Sequence, residues 1–261
     1  MTTWSADRAT SLGERLAQRA RQSAQAHRDF QTVRREDLRW TAEAEGASEA
    51  LLHARTSARV TMVRLQAGAS LPWPADAQAQ EVLVVTGQLL AQPLGQPPVT
   101  MARHALALRS EPNAGTLVAS GTEPTTLYVR HLLQAPSSLS GLEHAWWSVP
   151  RQPLNITHAQ GQRWRPSFPG VEVLPLWGTN EITSMVVRFA PGASVPDHPH
   201  AADEDCLMLE GEMFLGDILL RPGDYQLAPA GRGHFGETSD VGGTFFFHGA
   251  IDPVLVAPAR T

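Results

Sequence analysis

The stretch from Gly192 to Gly211 reads Gly-Ala-Ser-Val-Pro-Asp-His-Pro-His-Ala-Ala-Asp-Glu-Asp-Cys-Leu-Met-Leu-Glu-Gly and places His198, His200 and Glu204 within seven residues. Side chains alternate between the two faces of a strand, so His198 and His200 project together. Glu204 has the same parity, whereas Asp203 and Asp205 have the other. A fourth ligand-type residue, His234, follows in Gly223-Asp-Tyr-Gln-Leu-Ala-Pro-Ala-Gly231-Arg-Gly-His234, where Pro229 and Gly231 predict a turn that returns the chain toward the first three. Imidazole nitrogens with one carboxylate oxygen suit Zn, Fe(II), Mn, Ni or Cu(II). Three His and one Glu can close a tetrahedral site, or fill four of six octahedral positions and leave the rest for water or substrate. The residue types leave both arrangements open.

Composition narrows the alternatives. All 21 basic residues are Arg and there is one cysteine, Cys206, in a chain of 261. The lack of Lys excludes Schiff-base, pyridoxal-lysine and P-loop chemistry, and a lone Cys excludes an internal disulfide or a four-cysteine zinc finger. The first 40 residues hold eight Arg against five acids and the remainder 13 against 21, a balance that does not suit nucleic acid. No signal-peptide core or 20-residue apolar run is present, so a soluble, cytoplasmic protein is expected.

The elements that must position these residues come from an internal repeat. Residues 39–87 align on 163–211 without a gap at an offset of 124, matching Arg39/Arg163, Trp40/Trp164, Gly46/Gly170, Arg64/Arg188, Gly68-Ala69-Ser70/Gly192-Ala193-Ser194 and Gly87/Gly211. Farther on, an offset of 117 aligns Pro112 with Pro229 and His131 with His248, implying a loop insertion near Ala91–Thr100 in the first copy. Short Val/Leu/Phe runs at Arg59–Leu65, Glu81–Val85, Thr183–Phe189, Cys206–Leu209 and Thr244–Phe247 alternate with Gly/Pro turns, which predicts an antiparallel sandwich or barrel in each copy. Ala6–Phe30, with Leu12, Leu16 and Ala20 on one stripe, reads as an amphipathic helix. Three segments are expected: a helical 1–37, a barrel over 38–150 and a barrel over 151–261.

At the ligand positions the first copy carries Pro74, Asp76 and Gln80, with Leu117 opposite His234 at the later offset, so one metal per chain is expected. Cys206 and Met208 share the parity of Glu204 and are expected to line the pocket, with Phe246 and His248 as further lining residues. The match of His248 to His131 in the copy without ligands argues for a structural contribution from that position. His27, His53, His104, His144 and His158 have no ligand spacing and read as surface or cap residues. Glu237 and Asp197 are nearby carboxylates that could act as a base.

The spacing Gly-x5-His-x-His-x3-Glu-x6-Gly followed by Gly-x5-Pro-x-Gly-x2-His resembles the two cupin motifs, with Thr238 where the second motif usually has Asn. With the repeat, the chain over residues 38–255 resembles a bicupin, similar in its second half to ChrR-type, anti-sigma-factor-like cupins. The resemblance implies an all-β fold of two tandem jelly-roll barrels behind an N-terminal α-helix, and one divalent transition metal, Zn or Fe first and Mn or Ni next, on His198, His200, Glu204 and His234. It implies a regulatory or small-molecule-sensing protein with a small-molecule ligand or protein partner and no membrane, or alternatively a metal-dependent dioxygenase. Pairing of cupins through sheet edges makes a homodimer an expectation as well. The His/Cys zinc site that ChrR-like anti-sigma factors carry at their N-terminus has no counterpart, since Cys206 is far from that end.

Overall fold

The computed structural model describes residues 6–112, 114–133, 154–178 and 182–250. Helix α1 (Ala6–Ala26) is followed by strand β1 (Gln31–Val33). The first repeat then supplies β2 (Thr41–Ala44), β3 (Ala47–Ala54), β4 (Ala58–Leu65), β5 (Ala79–Thr86), β6 (Leu89–Pro93), β7 (Val99–Met101), β8 (Leu106–Arg109), β9 (Gly115–Ala119) and β10 (Thr125–Leu132). The second supplies β11 (Leu154–Thr157), β12 (Arg165–Phe168), β13 (Val171–Gly178), β14 (Thr183–Phe189), β15 (Ala193–Ser194), β16 (His198–Pro199), β17 (Glu204–Gly211) and β18 (Met213–Leu215). It closes with β19 (Ile218–Leu220), β20 (Tyr225–Ala228), β21 (Gly233–His234), β22 (Thr238–Ser239) and β23 (Gly243–Gly249). The expected helix ends at Ala26, and every predicted strand run lies inside an observed strand.

Each half forms one seven-stranded antiparallel sheet and smaller facing sheets, as expected for two tandem cupin barrels. The sheets exchange strands. The order β11-β8-β5-β10-β4-β3-β2 gives the first sheet a strand from beyond residue 150, and β1-β20-β17-β23-β14-β13-β12 gives the second a strand from before residue 38. Gln31 pairs with Leu227, and Leu154 with Arg109. The sequence repeat therefore divides the chain near 38 and 150, but the sheets do not divide there: each barrel's outer strand comes from the segment leading into the other.

The seven-stranded sheets are buried on both faces. In β4, Val63 and Leu65 point into the first barrel's own core, while Val60 and Met62 pack against the second barrel. The shared layer includes Leu83, Leu106 and Tyr128 from one half and Leu174, Val186, Leu207, Tyr225 and Phe246 from the other. Coverage on both sides explains why these strands are near-continuous apolar runs rather than alternating ones. The Trp and Arg matches of the repeat also find a cause: Arg64 stacks over Trp40 at 3.8 Å and Arg188 over Trp164 at 4.2 Å, one cation–π pair per barrel.

Charged groups lie in the middle of this apolar layer. Arg130 of β10 is ion-paired with Asp205 of β17, and His248 Nδ1 of β23 lies 3.1 Å from Glu81 Oε2 of β5. All four are buried. Strand register corrects the repeat alignment at this point. Thr126 pairs with Arg64 as Thr244 pairs with Arg188, so the late offset on the last strands is 118, and His248 corresponds to Arg130 rather than His131. Glu81 and Asp205 correspond at 124. The Arg130–Asp205 ion pair and the His248–Glu81 contact are thus equivalents made across a pseudo-twofold axis, beside which Tyr128 and Phe246, also equivalents, meet at 5.0 Å. The Asp205 end is extended by the Tyr225 hydroxyl, which donates to Asp205, and by His53 Nδ1, 2.7 Å from that hydroxyl. The His248 end is extended by Ser184 Oγ at 2.8 Å.

Candidate metal centre

Antiparallel pairing of β16 with β21 sets His198 opposite His234, and β17 begins on Glu204. Two glycines permit the approach. A Cβ on Gly233 would fall 2.5 Å from the backbone oxygen of His198, and one on Gly249 would fall 2.7 Å from Glu204 Cγ. Any larger residue at either place would push a ligand away.

His198, His200 and Glu204 are buried and offer donor atoms that all lie within 4.8 Å of one another. His200 Nε2 is 3.3 Å from Glu204 Oε2, and His234 Nε2 is 3.9 Å from the same oxygen. Ligands bound at about 2.1 Å with angles between 90° and tetrahedral stand about 3.0–3.4 Å apart, so the His198, His200 and Glu204 donors fit one ion after side-chain adjustment, while His234 lies beside that group and outside it. The His200 and His234 rings are 4.4 Å apart and the His198 ring is 5.5 and 6.0 Å from them. Two further observations suit a metal. His198 Nδ1 is 2.9 Å from the Pro196 carbonyl, a contact that fixes the tautomer and leaves Nε2 free to ligate. His234 Nε2 is buried with no hydrogen-bond partner among the described residues, and burial together with His200 and His198 holds its pKa well below the usual imidazole range. A neutral, unpartnered imidazole nitrogen is the form that binds a cation.

Of the two carboxylates weighed as bases, Glu237 is buried with Oε1 4.0 Å from His234 Nε2, and burial raises its pKa to about 7, opposed by His198. Asp197 is exposed and accepts a hydrogen bond from the Gly236 amide. Glu237 is the one placed to exchange a proton beside the ligands.

The remaining expectations divide by strand face. Cys206 and Met208 point into the second barrel's core with Phe245 and Phe247. Burial, then Glu237 and Glu204, pushes the Cys206 thiol well above its ordinary pKa. Phe246 and His248 have the opposite parity and face the first barrel, so they do not join that lining; one-residue alternation carries them out of it. His53, read as a surface or cap residue, is instead buried in the inter-barrel network; nothing local to it marks its partners, which lie in the other repeat. His104 sits in a turn with φ 64°, His27 and His158 are half-buried, and His144 lies outside the described residues.

Phe30 carries no signal in the sequence that singles it out. Its ring lies 5.5 Å from His234, and Asp29 is ion-paired with Arg232 two residues before that ligand. The segment after α1 thus packs beside β21 before pairing with β20 of the seven-stranded sheet as β1. The helix itself touches the barrel lightly, through Arg19 to Asp217 at 3.0 Å, and leaves Leu16 59% exposed. Neither it nor any other described helix is long and apolar enough to cross a membrane.

The first barrel keeps the architecture without the ligands. Register of β6 with β9 and β18 with β22 makes Ala114, not Leu117, the equivalent of His234, and Leu117 the equivalent of Glu237. Gln80 stands for Glu204, and it accepts a hydrogen bond from Arg109, whose guanidinium also reaches the Pro72 and Gly115 carbonyls. Among the described residues that barrel contains no cluster of metal-ligating side chains.

Two facing jelly-roll sheets per half, a His/His/Glu cluster in one of them and the internal repeat define a bicupin. Residues 153–252 match the ChrR cupin-like domain, so the second barrel is similar to cupins of ChrR type. No curated protein matches the sequence. Solved structures share the fold. A Pseudomonas aeruginosa protein assigned as glyoxylate-induced superposes with a TM-score of 0.68 at 13% identity, covering 88% of this chain and 92% of that one. A Nostoc punctiforme protein assigned as a dioxygenase gives 0.63 at 15% identity over 89% and 87%. A point variant of Bacillus subtilis oxalate decarboxylase gives 0.57 at 16% identity over 85% and 77%.

Proposed function

We propose that the chain is a metal-binding ChrR-type bicupin of regulatory or small-molecule-sensing character, with one divalent transition metal on His198, His200, Glu204 and His234. The contact that carries this reading is Phe30 against His234, because it joins the ligand shell to a helix that is otherwise largely exposed. Reordering of His234 on metal or ligand binding would then be passed to Phe30, β1 and α1, the kind of coupling a sensor needs. Zn and Fe suit the three-imidazole, one-carboxylate donor set best, with Mn and Ni next.

A second reading is supported by Glu237. A buried carboxyl with a pKa near 7 beside the ligands is the sort of group that exchanges protons during catalysis. A metal-dependent dioxygenase acting on a small organic substrate would use it so.

The test is hydrogen exchange of residues 12–33 in metal-free and metal-loaded protein, with the metal identified and its bound waters counted. Sensing predicts that protection across Phe30–Val33 changes at least tenfold with metal or ligand. Unchanged exchange, together with iron carrying exchangeable waters and substrate-dependent oxygen uptake, would favour the dioxygenase. His200→Ala should abolish binding, and retained full occupancy would overturn the site itself.

A further inference from the structure

The first barrel contains a cavity of about 480 Å³ that takes in Glu43, Glu49, Arg59, Asp76 and His131, with Val63 and Leu71 among its apolar walls. Its position is that of the metal pocket in the other half. By the repeat, Pro74 and Asp76 stand where His198 and His200 stand, and by strand register His131 stands where Gly249 stands. The glycine in the second barrel makes room for Glu204. With Gln80 in that place and turned to Arg109, the first barrel admits an imidazole instead.

The polar inventory of the cavity is unbalanced. Arg59 donates both guanidinium nitrogens to Glu49, which leaves Asp76 and Glu43 without an ion pair among the described residues. Arg109 is not part of the lining and is occupied by Gln80 and two carbonyls. His131 is 6% exposed, and its Nδ1 has no hydrogen-bond partner among the described residues. Burial, then the neighbouring Arg59, lowers its pKa to about 4, so at neutral pH the ring is uncharged and can accept a hydrogen bond. A buried polar atom left without a partner in a native structure calls for a ligand, a water or an ion.

We propose that this cavity is a second, metal-independent binding site for a small organic ammonium ion, its charged head held by Asp76 and His131 and its carbon frame against Val63 and Leu71. Excess carboxylate selects a cation over an anion, and the apolar wall selects an organic amine over an inorganic ion. The volume falls in the range of small-molecule sites.

Calorimetric titration of the metal-loaded full chain with benzylamine, benzyl alcohol and benzoate tests this. Saturable one-to-one binding of benzylamine is expected, with the alcohol and the acid at least tenfold weaker. Asp76 is exposed, so Asp76→Asn should fold normally; it should weaken benzylamine at least fivefold, as should His131→Gln, while removal of the metal from the wild-type chain with a chelator should leave it unchanged. The proposal is overturned if no probe binds, if benzoate binds as tightly as benzylamine, if Asp76→Asn has no effect, or if removal of the metal abolishes the titration, which would place the amine in the second barrel.

Discussion

Replacing Arg130 by Met removes one half of a repeated ion pair from the centre of the barrel–barrel interface. Asp205 is fully buried, and once the guanidinium is gone it keeps the Tyr225 hydroxyl, with His248 and His53 nearby. Arg130 also sits opposite Glu81 in the strand register and helps hold that carboxyl below its ordinary pKa, although His248 contributes more. Methionine fills much the same volume, so the cost is chiefly that of an uncompensated buried carboxylate, about 3–5 kcal/mol. For a chain of this size that corresponds to a fall in Tm of roughly 6–20 °C. The assay is a double-mutant cycle by urea unfolding with Asp205→Asn, which keeps an acceptor for Tyr225 while removing the charge. The double variant should recover about 2 kcal/mol of the summed losses. Losses that add to within about 0.5 kcal/mol, or an Arg130→Met variant within about 1 kcal/mol of wild type, would refute the view that these charges stabilise the interface through each other.

Gly233→Ala should lower stability by about 1–3 kcal/mol and weaken metal binding at least tenfold, because its Cβ meets the His198 carbonyl; unchanged metal affinity in a dialysis competition would contradict the role given to that glycine. His131 is neutral in the fold, with a pKa of about 4 against 6.5 for the exposed side chain. The unfolded chain therefore binds the extra proton between those values. Stability should fall as pH drops from 6.5 to 4, by up to about 1.4 kcal/mol per unit from this group, and be unaffected by it above 6.5. His131→Gln should flatten the profile measured by unfolding at stepped pH. Cys206, buried with a raised pKa, should resist a thiol reagent in the native protein and react fully in urea, and Cys206→Ser should still bind one metal.

The cluster of His198, His200 and Glu204 is legible because the three fall within seven residues at one parity, although residues 200–203 leave the strand between β16 and β17, and the turn at Pro229–Gly231 is a local rule that sets His234 opposite His198. The barrels are legible for the same reason. What lies beyond reach depends on contacts between halves. Asp205 and Glu81 have the wrong parity for the metal, yet that parity, repeated in both copies inside apolar strands, marks a second buried face. His53 and Arg130 acquire their partners only when the barrels dock. Matching residue types alone puts the late offset at 117, because gap positions are fixed by pairing, and only the register of β10 with β4 and β23 with β14 moves His248 onto Arg130.

The exchanged strands bear on how the chain is made. During synthesis β8 is complete long before β11 exists, and β1 is the first strand to emerge but must wait for β20, nearly two hundred residues later, to be paired. Neither barrel can close its sheet from its own repeat alone, so the first half must be held with Leu106–Arg109 as a bare edge until the second begins. A fragment ending near residue 150 would keep that edge open permanently and be prone to join other copies of itself. Co-expression with the missing strand, rather than trimming at the repeat boundary, is the route to either half in isolation.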